Sequence, residues 1–253
     1  KGDSENGIVK PYDGLLATMG RDYIRTLLAV GTVNRETIGF TMQHILNQST
    51  GNLFFAGSMI HKNLDAGNLV FDCNTGQAVG AVAAYISFFK TTSAEIDLRK
   101  VQSELLSFNM RILPFIDIHT EDPNFKALQR IFLVNILPWQ KENAALRFNP
   151  LDSVSAESVR LALLQLYSRA QLWYIDNAVT YFSTKDMIEL LKVIAFRGND
   201  LEDDLLSAWH KRFKFQGEFN LEHTITRYEF AVLLDAYASP FAKRINVEGL
   251  IQR

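Results

Sequence analysis

The stretch that most constrains this chain runs from Gly51 to Tyr85. It reads Gly51-Asn-Leu-Phe-Phe-Ala-Gly57 and later Thr75-Gly76-Gln77-Ala78-Val79-Gly80-Ala-Val-Ala-Ala-Tyr85. Leu53-Phe54-Phe55-Ala56, apolar and bounded by glycines, predicts a buried strand. Asn68-Leu-Val-Phe-Asp72 predicts a second short strand, and Asn74 to Gln77 a turn and helix start. From Gln77 the small residues Ala78, Gly80, Ala81, Ala83 and Ala84 give a helix whose backbone can be approached closely. A glycine at a helix N-terminus removes a blocking side chain and leaves free N–H groups facing whatever sits there. The packing expected is Val79 and Ala83 buried, with Gly80 against the Leu53–Phe55 strand.

These phrases resemble the last cofactor-contacting segment of the FAD-dependent oxidoreductases often found in Bacteroidetes. In that family a strand of the type NLxxAG precedes a GQAxGxAAA helix whose N-terminus approaches the flavin. Glu95-Ile-Asp-Leu-Arg-Lys-Val-Gln-Ser-Glu-Leu-Leu106 is similar to the family's IDxxxLQxxL helix, so the resemblance covers roughly residues 50 to 118. It implies FAD as cofactor, with Gly57, Thr75, Gly76, Gln77 and Ala78 as the residues nearest the ring. Two departures stand beside it. His61 and Lys62 occupy the loop where the family carries a His and an Arg in another context. No G-x-G-x-x-G occurs anywhere, so no turn of this chain supplies the nucleotide-binding fingerprint. The resemblance therefore implies the C-terminal part of a larger flavoprotein, or a relative that has lost the cofactor.

With 253 residues the chain can bury one large core or two modest ones. A net charge of −2 and the lack of any basic run give no electrostatic reason to expect nucleic acid. No apolar stretch is long enough to span a bilayer, so no transmembrane segment is expected. Eleven of the fourteen glycines fall at or before Gly80. Pro114 and Pro123 flank Phe115 to Asp122, which reads as a strand and turn. A domain boundary near 120 follows, giving 1–120 and 121–253, and an α+β fold whose second part is all helical.

Before the central stretch, Tyr23 to Val30 and Thr37 to Leu46 carry helical apolar spacing, with Asn34 as a candidate cap between them. Beyond Asp122, Phe125, Leu128, Ile131, Phe132 and Ile136 share a helical face that Pro138 ends. A pattern then recurs: a hydrophobe, a Ser or Thr, an acid two to three residues on, then a helix. It appears as Val154-Ser-Ala-Glu157 before a helix Val159–Tyr167. It returns as Phe182-Ser-Thr-Lys-Asp-Met187 before Ile188–Ala195, and as Ile225-Thr-Arg-Tyr-Glu229 before Phe230–Tyr237. The order is a cap plus a first-turn acid.

The recurring unit resembles the S-layer homology module, whose hallmark loop is G-x-F-x-P-x-x-x-I-T-R-x-E between two helices. Gly217-Glu-Phe219 through Ile225-Thr-Arg227-Tyr-Glu229 is the close match, and Arg147-Phe148-Asn-Pro150 through Glu157 a looser one. Ala156 and Lys185 stand where the motif wants Arg, and the middle copy lacks most of its first helix. The resemblance covers about 123 to 240. It implies three modules in one helical body, a periplasmic or cell-envelope location, and Arg227 as a fork for anionic glycan. A structural role for Arg227, pairing with Glu229 or capping a helix, is the favoured competitor.

The other chemistry-bearing residues read as structural. His44, His61, His119, His210 and His223 show no metal-ligand spacing, so no metal is expected. Cys73 reads as a small buried hydrophobe, and Trp139, Trp173 and Trp209 as core anchors rather than sugar platforms. Glu202-Asp-Asp204 reads as a solvated helix start. Two functions from different classes remain open. One is the C-terminal portion of an FAD-dependent oxidoreductase, inactive alone, that needs an N-terminal FAD-binding region as partner. The other is a non-catalytic envelope module whose repeats bind glycan or a protein.

Overall fold

The computed structural model describes residues 20–33, 36–46, 52–54, 69–142 and 145–252. The described residues combine helices with two small antiparallel sheets, an α+β architecture. The chain divides into two compact units. One holds the residues up to Pro114 with 141–146 and the tail from Arg244, and the other holds Phe115–Gln140 and Arg147–Lys243. The chain passes between them after Pro114, where a boundary near 120 was expected, and the tail belongs with the first unit.

In the first unit a short helix α1 (Arg21–Arg25) leads into β1 (Leu27–Val33), which pairs antiparallel with β2 (Glu36–Thr41). Val33 stands opposite Glu36 and Gly31 opposite Ile38. Of the two helices expected over Tyr23–Val30 and Thr37–Leu46, residues 27–30 and 37–41 are therefore strand, while 23–25 belong to α1 and α2 (Met42–Ile45) follows β2. The reason lies in burial on both sides. Leu27, Leu28 and Ala29 are consecutive and fully buried, which a strand between two layers permits and an amphipathic helix does not. A buried amide fixes the start of the strand, since Gln102 Nε2 donates to the carbonyls of Arg25 and Leu27 at 2.8 Å each. The helix start expected over Thr32–Glu36 falls on the strand ends, and Asn34 lies outside the described residues.

Helix α3 (Leu69–Phe89) begins earlier than the sequence suggested. Leu69–Asp72, expected as strand, is its first turn. Phe71, Thr75, Ala78, Val82 and Ile86 are buried along it at helical spacing. That continuous face is what draws the first turn into the helix, tertiary packing overriding the local β preference of Val70 and Phe71. Val79 and Ala83 are only half-buried, one position off the buried face, and Gly80 is exposed with open space where a Cβ would point. Of the strand expected over Leu53–Ala56, Phe54 makes a single antiparallel bridge to Leu46, and residues 55–56 lie outside the described residues. Helix α4 (Leu98–Ser107) forms where Asp97–Leu106 was expected, with Asp97 at its N-cap. In the tail, Arg244 Nε lies 3.4 Å from the Asp97 carboxylate.

The second unit is built from α5 (Phe125–Val134), α6 (Ala156–Leu166), α7 (Ala170–Asp176), α8 (Thr184–Ala195), α9 (Asp200–Lys211) and α10 (Arg227–Ala238). In the chain, the paired strands β3 (Gln140–Glu142) and β4 (Ala145–Arg147) come between α5 and α6, and their residues 141–146 belong to the first unit. The stretch 115–122 is turn rather than strand, held by Asp117, whose carboxylate accepts from the amides of Phe148 and Asn149 at 3.0 and 2.7 Å. Helix α5 stops at Asn135, in the left-handed conformation that Asn tolerates, and not at Pro138. Trp173, Phe182 and Phe230 form the aromatic centre, with ring centroids 5.2 and 5.3 Å apart along the row. Among the described residues no helix is long and apolar enough to cross a membrane.

Gly31 and Gly80 separate packing from exposure. A Cβ on Gly31 would lie 2.9 Å from Cγ of the buried Phe71 ring, so Gly31→Ala should lower stability by about 1–3 kcal/mol through overpacking. Gly80→Ala meets nothing and should raise stability by about 0.5–1 kcal/mol. Thermal melts in which Gly31→Ala is neutral would contradict the α3–hairpin packing.

Candidate functional site

The segment that resembles a flavin-facing helix start lies inside α3. Residues 75–78 occupy its second and third turns, where each amide is committed to the carbonyl four residues back. The free N–H groups expected there belong instead to the first turn, from Leu69 onward. The side chains divide by face. Thr75 and Ala78 are buried against the hairpin, and the Thr75 hydroxyl donates to the Asp72 carbonyl at 3.0 Å. Gly76 and Gln77 lie on the open face with Cys73, which is exposed rather than buried as expected. Gly57, His61 and Lys62 lie outside the described residues. Among the described residues this stretch supplies a helix end and a bare face.

The three recurring loops of the second unit meet one another. Ser153 bridges Thr226, Ser155 bridges Tyr181, and Ser183 bridges Thr224. The first amide of each following helix is satisfied by the next loop. Ala156 N–H donates to Thr180 O at 3.0 Å, Thr184 N–H to His223 O at 2.9 Å, and Arg227 N–H to Asp152 O at 2.8 Å. Each acceptor stands three residues before the neighbouring cap, so the set closes into a ring. The hydrophobe before each cap, Val154, Phe182 and Ile225, is buried.

Two of the caps are complete capping boxes. Ser183 and Thr226 each accept from the amide of Asp186 and Glu229, whose carboxylates reach back to the cap amides. Ser155, followed by Ser158 where the others have an acid, makes no side-chain cap. The ring also corrects the alignment of the copies. The residue in the place of Arg227 is Thr184 in the middle copy, not Lys185, which sits one position later and donates its amide to Leu221 O.

Arg227 does not pair with Glu229. Its guanidinium donates from Nε to Phe148 O at 2.7 Å and from Nη2 to Pro138 O, and it lies 5.0 Å from the centroid of the Phe148 ring. Burial lowers its pKa from the usual arginine value, against the opposing pull of Asp152 and Asp117. Buried and occupied by carbonyls, this side chain presents no open fork to an anion. Glu229 is held by Thr226 and by His223 Nε2 at 3.1 Å.

A nearby network has no motif to announce it. Tyr228 Oη donates to Asp122 Oδ1 at 2.7 Å and accepts from Asn124 Nδ2 at 2.8 Å, which also donates to Phe213 O. Burial first, then the bond to Asp122, raises the Tyr228 pKa against the opposing Asn124 bond, so the phenol stays protonated.

Trp173 and Trp209 are buried, and Trp209 Nε1 donates to Gly217 O at 3.1 Å, so neither offers a sugar platform. Of the run Glu202–Asp204, Glu202 and Asp203 sit in the first turn of α9 with Asp200, and Asp204 follows it with Arg197 at 3.7 Å. Among the described residues no cluster of His, Cys, Asp and Glu could hold a metal. Comparison with protein-family models, with curated proteins and with solved structures returned no match.

Thr226→Ala should cost about 1 kcal/mol through loss of the cap. Arg227→Met should cost about 2–4 kcal/mol, because two carbonyls lose charged donors. Arg227→Lys should not restore the loss, since an ammonium cannot reproduce the planar fork. Denaturant melts in which Arg227→Met matches the parent would return Arg227 to the surface.

Proposed function

We propose that this chain is the C-terminal portion of an FAD-dependent oxidoreductase. In this reading the first unit closes the flavin side, and the helical unit is a non-catalytic module for docking at the cell envelope. The observation that carries it is the composition of α3. Asp72 is the only charged residue in its 21 positions, and apart from Asn74, Gln77 and Tyr85 the rest are apolar or small. Only one face is covered. The other, with Leu69, Cys73, Gly76, Gly80, Ala84 and Phe88, is exposed. A helix without a polar face belongs between two layers, and exposed apolar surface of this kind marks an interaction surface. Gly76 and Gly80 each weaken the helix by up to about 1 kcal/mol, a cost matched by the close approach they permit.

The occupant of that face is the N-terminal FAD-binding region that the resemblance implies. The flavin, when bound, supplies the hydride-accepting chemistry, and the protein contributes orientation and electrostatics. This chain's part is the positive end of the α3 dipole at Leu69–Asp72, together with the bare face beside it. The second reading, an interaction module without any flavin, draws on the helical unit, whose closed ring of loops makes it a rigid body suited to presenting a surface.

The chain purified alone should be colourless and show no saturable heat on titration with FAD. The protein extended by its upstream coding sequence should retain stoichiometric flavin. Gly76→Leu and Gly80→Leu, both on the open face, should each raise the stability of the present chain by about 0.5–1 kcal/mol through helix propensity and strip flavin from the extended protein. A colourless extended protein would sink the flavoprotein reading and leave the interaction module.

A further inference from the structure

The helical unit carries a charged cleft of about 330 Å³, at the small end of the range for ligand sites. It lies between the start of α5, the loop after α9 and the end of α10, and its charged residues are Lys126, Arg130, Arg212 and Asp235. Phe213 and Val232 are buried behind them, so little apolar surface faces the opening. Three cations against one carboxylate leave an excess of two positive charges. That carboxylate is already engaged. Asp235, its side chain 6% exposed, accepts from Arg130 Nε at Oδ1, 2.8 Å away, and from Nη2 at Oδ2. The pair fixes the plane of the Arg130 guanidinium and leaves its remaining N–H groups unused. Lys126 and Arg212 are exposed, and neither has a carboxylate partner among the described residues. The Arg212 guanidinium carbon lies 5.0 Å from the Phe213 ring centroid, a contact that holds the side chain at the cleft. Asp122, just before α5, is turned to other donors, since Tyr228 Oη and the Asn124 amide each donate to its Oδ1 at 2.7 Å.

We propose that this cleft binds a dianionic phosphoryl group, of the kind a phosphate monoester carries near neutral pH. Attraction to the excess charge grows with the charge of the ligand, so a dianion gains more than a monoanion. Arg212, and the part of Arg130 that Asp235 leaves unused, offer planar donors that match phosphoryl oxygens, and Lys126 adds a point charge. The polar opening lets the ligand keep part of its hydration, whereas an apolar molecule would find little surface to cover. The phosphoryl group belongs either to a small soluble ester or to a lipid headgroup.

The test is a titration of the full chain with glycerol phosphate, followed by amide chemical shifts at fixed ionic strength. Dimethyl phosphate, a monoanion, is the second probe, and phosphatidylcholine vesicles with and without phosphatidate are the third. Saturable shifts confined to the start of α5, the residues around Phe213 and the end of α10 are expected, with dimethyl phosphate bound about tenfold more weakly. A Lys126→Gln, Arg212→Gln double variant should weaken binding by at least about tenfold with an unchanged melt, because both side chains are exposed. A Lys90→Gln, Lys185→Gln double variant, which removes the same charge elsewhere, should bind like the parent. Saturation by glycerol phosphate would identify a soluble ester, and binding to phosphatidate vesicles alone, lost in the cleft variant, a lipid headgroup. Binding of neither, binding undiminished in the cleft variant, equal weakening in the distant variant, or dimethyl phosphate bound as tightly as glycerol phosphate would each overturn the proposal.

Discussion

Every helix begins with amides that have no partner inside it, and the second unit depends on how three such helix starts are satisfied. The first amides of α6, α8 and α10 each donate to a loop carbonyl belonging to the next copy, and the donations close on themselves. None of these loops can be completed alone, because each is both acceptor for one helix and donor-bearing entry to another. The buried hydrophobes Val154, Phe182 and Ile225 fill the inside of that ring. Packing and backbone satisfaction therefore coincide, which makes the three copies one body rather than a string of hairpins.

That ring explains the fate of Arg227. A side chain at the first position of a helix whose amide points into a neighbouring loop is itself carried inward. There it meets the Phe148 and Pro138 carbonyls and the Phe148 ring. In the other copies Ala156 and Thr184 hold the same place and are buried as well, so the site asks for burial first.

The first unit follows a different constraint. Its hairpin has little side-chain polarity to fix the register, and a single buried amide, Gln102, anchors the carbonyls at its start. Helix α3 covers one side of the hairpin through a row from Phe71 to Ile86, and Gly31 makes room for Phe71. The opposite side of α3 is exposed, and it carries Asp72 and Gln77 among small and apolar residues.

The sequence by itself determined the elements whose signals are local. Ser183 with Asp186 and Thr226 with Glu229 are capping boxes readable from four residues, and the helices after them form as expected. The same holds for α4 and for α9 with its acidic first turn. Only the tertiary structure decided the rest. Whether Leu27–Val30 is helix or strand depends on whether one or both of its sides are covered, which no spacing of leucines reveals. The start of α3 depended on Phe71 finding the gap at Gly31, a contact forty residues apart in the chain. The alignment of Thr184 rather than Lys185 with Arg227 became visible only once the loop ring fixed the register. Local signals record short-range energetics. Burial is a property of the neighbours, and the neighbours are chosen by the fold.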